Sequence, residues 1–136
     1  MTPHIFNRML THLLRKEINL LAAPFGLTVD RLNVLELACR GRRTQADLAR
    51  ALRVTRPVVN TMVRALEERG FVRREPILGD RRSFHVVPTA QGRATFEAYA
   101  RRSVAIELEA RAKARIEVEA RLQRHFGALK SVPHWD

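Results

Sequence analysis

Two short amphipathic segments separated by only three residues limit most strongly how this chain can fold. The first begins at Thr44, which stands three residues before Asp47 in the Thr-x-x-acid form of a capping box. Residues 53–55 interrupt the apolar pattern, and a second helix is predicted over about 56–69, with Gly70 after its end. A connection this short keeps two helices packed against each other as a helix-turn-helix.

A β-hairpin is predicted directly after this helix pair. Residues 71–75 are expected to form a short strand, residues 76–82 a turn, and residues 83–87 a second strand with Phe84 and Val86 on one face. Two short helices followed by a hairpin with a basic tip predict a winged helix-turn-helix.

Further helices are predicted on both sides of this region. Pro3 is expected to open a first helix, and Thr28 is expected to cap a second helix that ends at Gly41. Thr89 is expected to cap a final helical region that runs to about Phe126. The apolar positions that give the first helix its period are Ile5, Met9, Leu13 and Leu20. The predicted fold class is therefore mainly α with a small β-hairpin wing.

The final helical region carries two apolar stripes. One contains Tyr99 and Ile106, and the other contains Val118 and Leu122 in a position rotated around the helix axis. We therefore expect a bend or break near residues 112–116.

The apolar stripes at both ends of the chain predict an interface. Such stripes form a dimer core more often than a cofactor pocket, and we expect a dimer interface with a crevice at its edge. The chain is accordingly divided into dimerisation helices at 1–27 and 88–136 and a winged helix-turn-helix region at 28–87, all within one intertwined domain.

The net charge of +11 favours a polyanionic partner. Between Arg40 and Arg82 twelve arginines stand against five acidic residues, so the excess falls on the segments that would face DNA. A solvated basic face and a membrane surface are the alternatives that charge alone leaves open. Because no apolar run is long enough to span a bilayer and no leader pattern opens the chain, we expect a cytoplasmic protein without a membrane partner.

Several kinds of chemistry have no support in the sequence. The single cysteine, Cys39, excludes an intramolecular disulfide and is expected to be a buried structural thiol, not a redox sensor. No cysteine and histidine residues have zinc-site spacing, and we expect no metal and no cofactor. We expect no enzyme, since paired carboxylates, a nucleophile motif and a glycine-rich phosphate loop are all missing from the sequence.

The outward face of the helix at about 56–69 is expected to enter the major groove, which alone distinguishes all four base pairs. Arginine can bind guanine and asparagine can bind adenine through two hydrogen bonds each. Thr44 and Gln45, at the start of the preceding helix, are expected to present free N–H groups to a phosphate. The candidates on and just before the second helix are Thr55, Arg56, Pro57, Val58, Asn60, Thr61 and Arg64.

Several segments resemble the MarR family of transcriptional regulators. The match covers about half of the chain closely, and the order of the flanking helices extends it loosely over the rest. The spacing from the wing aspartate to a Thr-x-x-Gly turn is its most specific part. The resemblance is carried by Thr44-Gln45-Ala46-Asp47-Leu48-Ala49, by the run from Leu66 through Gly70-Phe71 to Arg74, by Asp80-Arg81-Arg82 and by Thr89-Ala90-Gln91-Gly92.

The resemblance implies a homodimer, joined through its N- and C-terminal helices, that binds a pseudo-palindromic operator in double-stranded DNA. It implies that a wing over about 75–84 reaches into the minor groove, where Arg82, oriented by Asp80, is inserted and Arg81 lies on the adjacent backbone. It also implies repression that responds to a small aromatic or amphipathic effector, although no residue of the chain indicates which one.

The wing departs from the family pattern at its tip. Ile77 and Leu78 occupy normally polar positions, which predicts either a hydrophobic contact there or a wing folded back on the body. The alternative function is therefore a winged-helix module that docks a protein without specific DNA binding. Such docking should survive high salt, whereas a DNA-binding protein with several phosphate contacts should lose orders of magnitude in affinity between ~50 and ~200 mM salt.

Overall fold

The computed structural model describes residues 3–126 and shows a mainly helical fold with one small sheet. Residues 1, 2 and 127–136 lie outside the described residues, and with them the last part of the predicted dimerisation segment. The elements in chain order are α1 (Pro3–Ala22), a 3₁₀ turn (Ala23–Phe25), α2 (Val29–Arg40), β1 (Arg43–Thr44), α3 (Gln45–Leu52), α4 (Arg56–Glu68), β2 (Val72–Ile77), β3 (Asp80–Pro88) and α5 (Ala90–Phe126). The winged helix-turn-helix is confirmed, with α3 and α4 as the helix pair and β2 and β3 as the wing.

Local hydrogen bonds begin α2 and α3 at the residues predicted from the sequence. In front of α2 the hydroxyl of Thr28 accepts the N–H of Arg31 at 3.3 Å. In front of α3 the hydroxyl of Thr44 accepts the N–H of Asp47 at 3.1 Å, and the carboxylate of Asp47 accepts the N–H of Thr44 at 2.9 Å. This reciprocal pair is a complete capping box, so the start of α3 is held firmly.

An antiparallel sheet in the order β1-β3-β2 ties the wing to the helix pair. Strand β1 has only two residues, and it pairs with β3 through Arg43 to Val86 and Thr44 to His85. The sequence does not predict this strand, because two residues are too few to show alternation. Since Thr44 also caps α3, one residue belongs to both the sheet and the helix pair.

The predicted turn over residues 76–82 is wrong. Strand pairing continues as far as Ile77 and Asp80, so the turn contains only two residues, Leu78 and Gly79. Pro76 is compatible with pairing because β2 is an edge strand, where a missing N–H breaks no bond to a further strand.

The hairpin has an irregular segment in β3 just after this turn. Pro76 pairs with Phe84, but the next residue of β2, Ile77, pairs with Asp80. Residues 81–83 of β3 therefore have no partners in β2 and form a bulge. The backbone N–H and C=O groups of this bulge need partners outside the ladder.

Of the bend or break expected near residues 112–116, the break is wrong, because α5 runs without interruption from Ala90 to Phe126. Four residues slightly exceed one turn of 3.6, so a buried row with four-residue spacing winds slowly around a helix. The two stripes are one such row, in which two alanines join the larger side chains: Ile106, Ala110, Ala114, Val118 and Leu122.

The buried apolar residues form two separate clusters. The larger fills the winged region, and the smaller joins α1 to the second half of α5. Ile5 and Leu20, predicted on the apolar face of α1, are instead 49% and 60% exposed. Within the chain, Phe6 and Leu13 face α5, where they pack against Ala114, Val118 and Leu122. A place for Ile5 and Leu20 in a dimer interface stays a prediction.

A close contact joins the start of α5 to the segment after α4. The hydroxyl of Thr89 accepts the N–H of Gly92 at 3.0 Å and donates to the carbonyl of Gly70 at 2.5 Å. A Cβ atom on Gly92 would lie 1.8 Å from the carbonyl oxygen of Phe71, so only glycine fits there. The Thr-x-x-Gly spacing of the sequence is thus explained by this junction.

Candidate nucleic-acid interface

The outward face of α4 carries the side chains predicted to contact base pairs. Val59, Val63 and Leu66 on the inner face have 0% exposure and hold the helix against the core. Asn60 is half-buried, and the other predicted residues are exposed: Thr55, Arg56, Pro57, Val58, Thr61 and Arg64. One well-anchored helix therefore presents a face with cationic, polar and apolar side chains.

The two uncharged polar residues of this face that lie within α4, Asn60 and Thr61, are more restricted than the sequence indicates. The Oδ1 atom of Asn60 is buried and has no hydrogen-bond partner among residues 3–126. Binding adenine through two hydrogen bonds requires both the oxygen and the nitrogen of the amide, and the oxygen is not accessible in this conformation. The hydroxyl of Thr61 donates to the carbonyl of Pro57 at 3.0 Å, so it can only accept a hydrogen bond from DNA.

The start of α3 is less open to a phosphate than predicted. The capping box already pairs the N–H groups of Thr44 and Asp47, which leaves those of Gln45 and Ala46 at this end of the helix. The hydrogen bonds from Thr44 to the Asp47 carboxyl lower its pKa, and the charge of Arg50 adds to the effect. An ionised carboxylate at this position opposes the attraction that the helix dipole exerts on an anion.

The side chain of Gln45 faces the wing, not the solvent. It is buried, with 7% exposed, and its Nε2 donates to the carbonyl of Arg82 at 3.2 Å. Of the groups of Gln45, only the backbone N–H therefore remains for the phosphate contact predicted from the sequence. No local pattern could reveal this hydrogen bond, because it joins residues 37 positions apart.

The wing presents Arg81 and Arg82 on the bulge of β3, and both are exposed. The carboxylate of Asp80 accepts the N–H of Arg82 at 2.9 Å and that of Ser83 at 3.2 Å. Asp80 therefore holds the main chain of the bulge, while the sequence indicated a role in orienting Arg82. Leu78 at the tip is completely exposed, so the wing is not folded back on the body.

The arginines of the region divide into paired and unpaired groups. Within residues 3–126, no carboxylate lies within 4.0 Å of the guanidinium groups of seven of them: Arg43, Arg53, Arg56, Arg64, Arg69, Arg81 and Arg82. Others are neutralised by a neighbouring acid, such as Arg50 by Asp47 at 2.6 Å and Arg74 by Glu67 at 2.7 Å. Four of these seven unpaired charges lie on α4 and on the wing, where phosphates would be met.

The described residues give no support for a metal site, a reactive thiol or a membrane span. No group of three or more His, Cys, Asp or Glu side chains in this part of the chain could hold a metal ion. Cys39 is half-buried, and desolvation raises the pKa of its thiol despite the nearby charge of Arg93. No helix between residues 3 and 126 is both long enough and apolar enough to cross a membrane.

Comparison with known proteins assigns the chain to a family. The model of the MarR family matches residues 29–84. HTH-type transcriptional repressors of Mycobacterium tuberculosis and Mycobacterium bovis are 33% identical over 114 residues, which cover 83% of this chain and 79% of each relative. The chain belongs to the MarR family. As a member it is a DNA-binding transcriptional regulator, and this assignment disfavours the alternative of a protein-docking module.

Solved structures show the same fold at low sequence identity. The S. aureus MepR–DNA complex superimposes with a TM-score of 0.74 at 22% identity, covering 95% of this chain and 99% of that one. The reduced form of MarR from E. coli gives 0.71 at 20% identity, with 96% and 98% covered. AbsC of Streptomyces coelicolor gives 0.63 at 25% identity, with 90% and 82% covered. The likeness includes the long flanking helices as well as the winged region.

Proposed function

We propose that this protein is a homodimeric repressor that binds a pseudo-palindromic operator, with α4 in the major groove and the wing in the minor groove. The observation that carries the proposal is the position of four of the unpaired arginines. Arg56 and Arg64 lie on the outward face of α4, and Arg81 and Arg82 lie on the bulge of the wing. Two separate cationic elements on one rigid unit match two neighbouring grooves of a DNA duplex.

In the major groove, Arg56 and Arg64 would supply the strongest base or phosphate contacts. They are eight residues apart, so they lie about 12 Å apart along the axis of α4 and can reach different base pairs. Thr61 lies between them as a hydrogen-bond acceptor, and Val58, which is 43% exposed, is suited to contact a thymine methyl group. Asn60 contributes through Nδ2 as long as its Oδ1 stays buried.

In the minor groove, the exposed guanidinium of Arg82 would be the leading contact. Negative potential is concentrated where this groove is narrow, and a cation without an acidic partner benefits most from it. Arg81, the next residue in the bulge, would lie on the adjacent phosphate backbone. The MepR–DNA complex, which has the same fold, supports DNA as the partner of this surface.

Unpartnered apolar side chains on α5 support the homodimer. Val104, Leu108 and Ile116 are 71%, 62% and 67% exposed, and exposed Ala112 completes a row at four-residue intervals. This row lies on the side of α5 opposite the one that packs on α1, so it is not covered within the described chain. A second copy would remove this row from water and would set the distance between the two reading helices.

Effector control would act on the connection between α2 and α5. A cavity of about 120 Å³ between these helices is lined by Asn33, Glu36, Phe96 and Tyr99, and the buried hydroxyl of Tyr99 has no partner among residues 3–126. This volume is smaller than the about 150 Å³ of an engineered cavity that holds benzene, so a small neutral aromatic with one hydrogen-bonding group would enter only as the lining side chains move outward. Phenol should raise the unfolding temperature of the protein, and Tyr99→Phe should weaken this effect. An unfolding temperature that does not change at a high concentration of phenol would contradict this part of the proposal.

Selection of bound duplexes from a random pool, repeated at ~50 and ~200 mM salt, tests the proposed function. We expect two inverted half-sites about 10 base pairs apart, centre to centre, and an affinity that falls by orders of magnitude at the higher salt. Recovery of no common sequence, or binding that is insensitive to salt, would refute the proposal and favour a protein-docking module.

A further inference from the structure

We infer that Gln45 is a positioning residue: it holds the main chain of the wing so that the Arg82 guanidinium points into the minor groove. The inference rests on the proposed function, in which Arg82 is the minor-groove contact. In this inference the side chain of Gln45 does not itself contact DNA.

The first step is the state of the Arg82 backbone. Arg82 lies in the bulge of residues 81–83, which has no partners in β2. Its N–H is accepted by the carboxylate of Asp80 at 2.9 Å, and its carbonyl accepts Nε2 of Gln45 at 3.2 Å. The N–H and the C=O of Arg82 are therefore both paired by side chains, which replace the hydrogen bonds that β2 does not supply here. Only the guanidinium remains without a protein partner in the described part of the chain.

The second step is that the two supports of Arg82 differ in origin. Asp80 belongs to the wing itself, so its hydrogen bond moves with the hairpin. Gln45 is the first residue of α3 and follows Thr44, which closes the capping box and pairs with His85 of β3. The Gln45 hydrogen bond therefore fixes the main chain of Arg82 relative to the helix pair. It makes the minor-groove contact and the major-groove contact parts of one rigid unit.

The third step is that stability alone does not account for a glutamine at this position. Gln45 is buried, yet its Oε1 has no hydrogen-bond partner within residues 3–126. A buried amide with an unpaired oxygen is less favourable for folding than an apolar side chain of similar size. Methionine at position 45 would fill the same space and relieve that unpaired oxygen, but it could not donate to the carbonyl of Arg82.

The test is a double-mutant cycle with the purified full chain and the duplex selected by the wild type. The four proteins are wild type, Gln45→Met, Arg82→Ala and the combined variant. Fluorescence anisotropy at several salt concentrations between ~50 and ~200 mM gives the affinity and its salt dependence. Thermal unfolding of each protein gives its stability.

We expect Gln45→Met to keep or raise the unfolding temperature while it lowers DNA affinity about fivefold. A fivefold loss in affinity corresponds to a bulge that, without the Gln45 hydrogen bond, has the DNA-binding conformation about a fifth of the time. The salt dependence of binding should not change, because no charge is removed. Arg82→Ala should lower affinity by about tenfold or more and reduce the salt slope by about one. In the Arg82→Ala background, Gln45→Met should have no further effect.

Two results would overturn the inference. One is an unchanged affinity of Gln45→Met while Arg82→Ala still weakens binding, which leaves the proposed function intact. The other is an equal loss from Gln45→Met with and without Arg82, which would make Gln45 a contact in its own right. Failure of the wild type to bind any selected duplex, or an unchanged affinity of Arg82→Ala, would instead refute the proposed DNA interface.

Discussion

The carboxylate of Asp80 accepts the backbone N–H of Arg82 at 2.9 Å, and the guanidinium of Arg82 is left exposed. Asp80 and Arg82 are thus neighbours in the wing, but no carboxylate oxygen of Asp80 lies within 4.0 Å of a guanidinium nitrogen of Arg82, so the two side chains form no ion pair. If the two side chains were paired, the charge needed for DNA would be neutralised. Because the carboxylate holds the main chain, the bulge is ordered and the cation remains available.

This relationship makes the order of the wing dependent on pH. Hydrogen bonds from the N–H of Arg82 and from Ser83 lower the pKa of Asp80 below its usual 3.8, and the charge of Arg56 acts in the same direction. A carboxyl with a depressed pKa stabilises the folded state above its unfolded pKa and loses that effect as pH falls through the folded value. NMR titration should give an Asp80 midpoint below 3.8, with the Arg82 amide shift following the same curve. A midpoint at or above 3.8 would contradict the hydrogen bonds.

Gly92→Ala should strongly destabilise the fold. The added Cβ would lie 1.8 Å from the carbonyl oxygen of Phe71, so the start of α5 must move away from the segment after α4. We expect the free energy of unfolding to fall by about 1–3 kcal/mol or more, measured by urea denaturation. Gly41→Ala is the matched control, because nothing lies within 4 Å of its Cβ and its backbone is extended. Equal stability of the two variants would contradict the described junction.

Leu108→Arg should convert the homodimer to monomers. Leu108 lies in the middle of the exposed apolar row of α5, where a charge would be buried on association. Sedimentation velocity should show a single slower species, and operator affinity should fall about a hundredfold or more because the two half-sites are no longer bound together. Ala105→Arg adds the same charge at an exposed position outside the row and should leave the dimer intact. Dimers of Leu108→Arg would place the interface elsewhere.

Cys39 should react slowly with alkylating reagents in the native protein. Burial raises the pKa of its thiol, so at a given pH less thiolate is present in the folded protein than in the unfolded chain. The rate of iodoacetamide labelling at about pH 8 should be severalfold lower in buffer than in urea, as followed by mass spectrometry. Cys39→Ser should bind DNA as the wild type does. Native labelling as fast as in urea would favour a redox-sensing role.

Local chemistry allowed several helix boundaries to be predicted from the sequence. The capping residues Thr28, Thr44 and Thr89 each bond to an N–H three residues later, and Gly70 takes up a φ of 75° just after α4. These interactions join residues that lie within a few positions of each other along the chain. They therefore form in the same way in most tertiary settings.

Features that depend on distant pairing were not predictable in this way. The strands of the wing extend to a two-residue turn because β2 and β3 continue to pair beyond Pro76. Helix α5 is unbroken, and buried Ala110 and Ala114 join its two apolar stripes into one row, although their small side chains resemble surface positions in the sequence. In both cases the partner that decides the outcome lies elsewhere in the chain.

The sequence by itself determined the winged helix-turn-helix, the family and the cationic outward face of α4, because periodicity, caps and charge are local properties. The tertiary structure alone decided that Gln45 is buried against the wing and that Asp80 holds the main chain of Arg82. The physical reason is that the bulge removes Arg82 from the strand ladder. Its peptide groups then take the nearest donors and acceptors in space, and the one contributed by Gln45 lies 37 residues away along the chain.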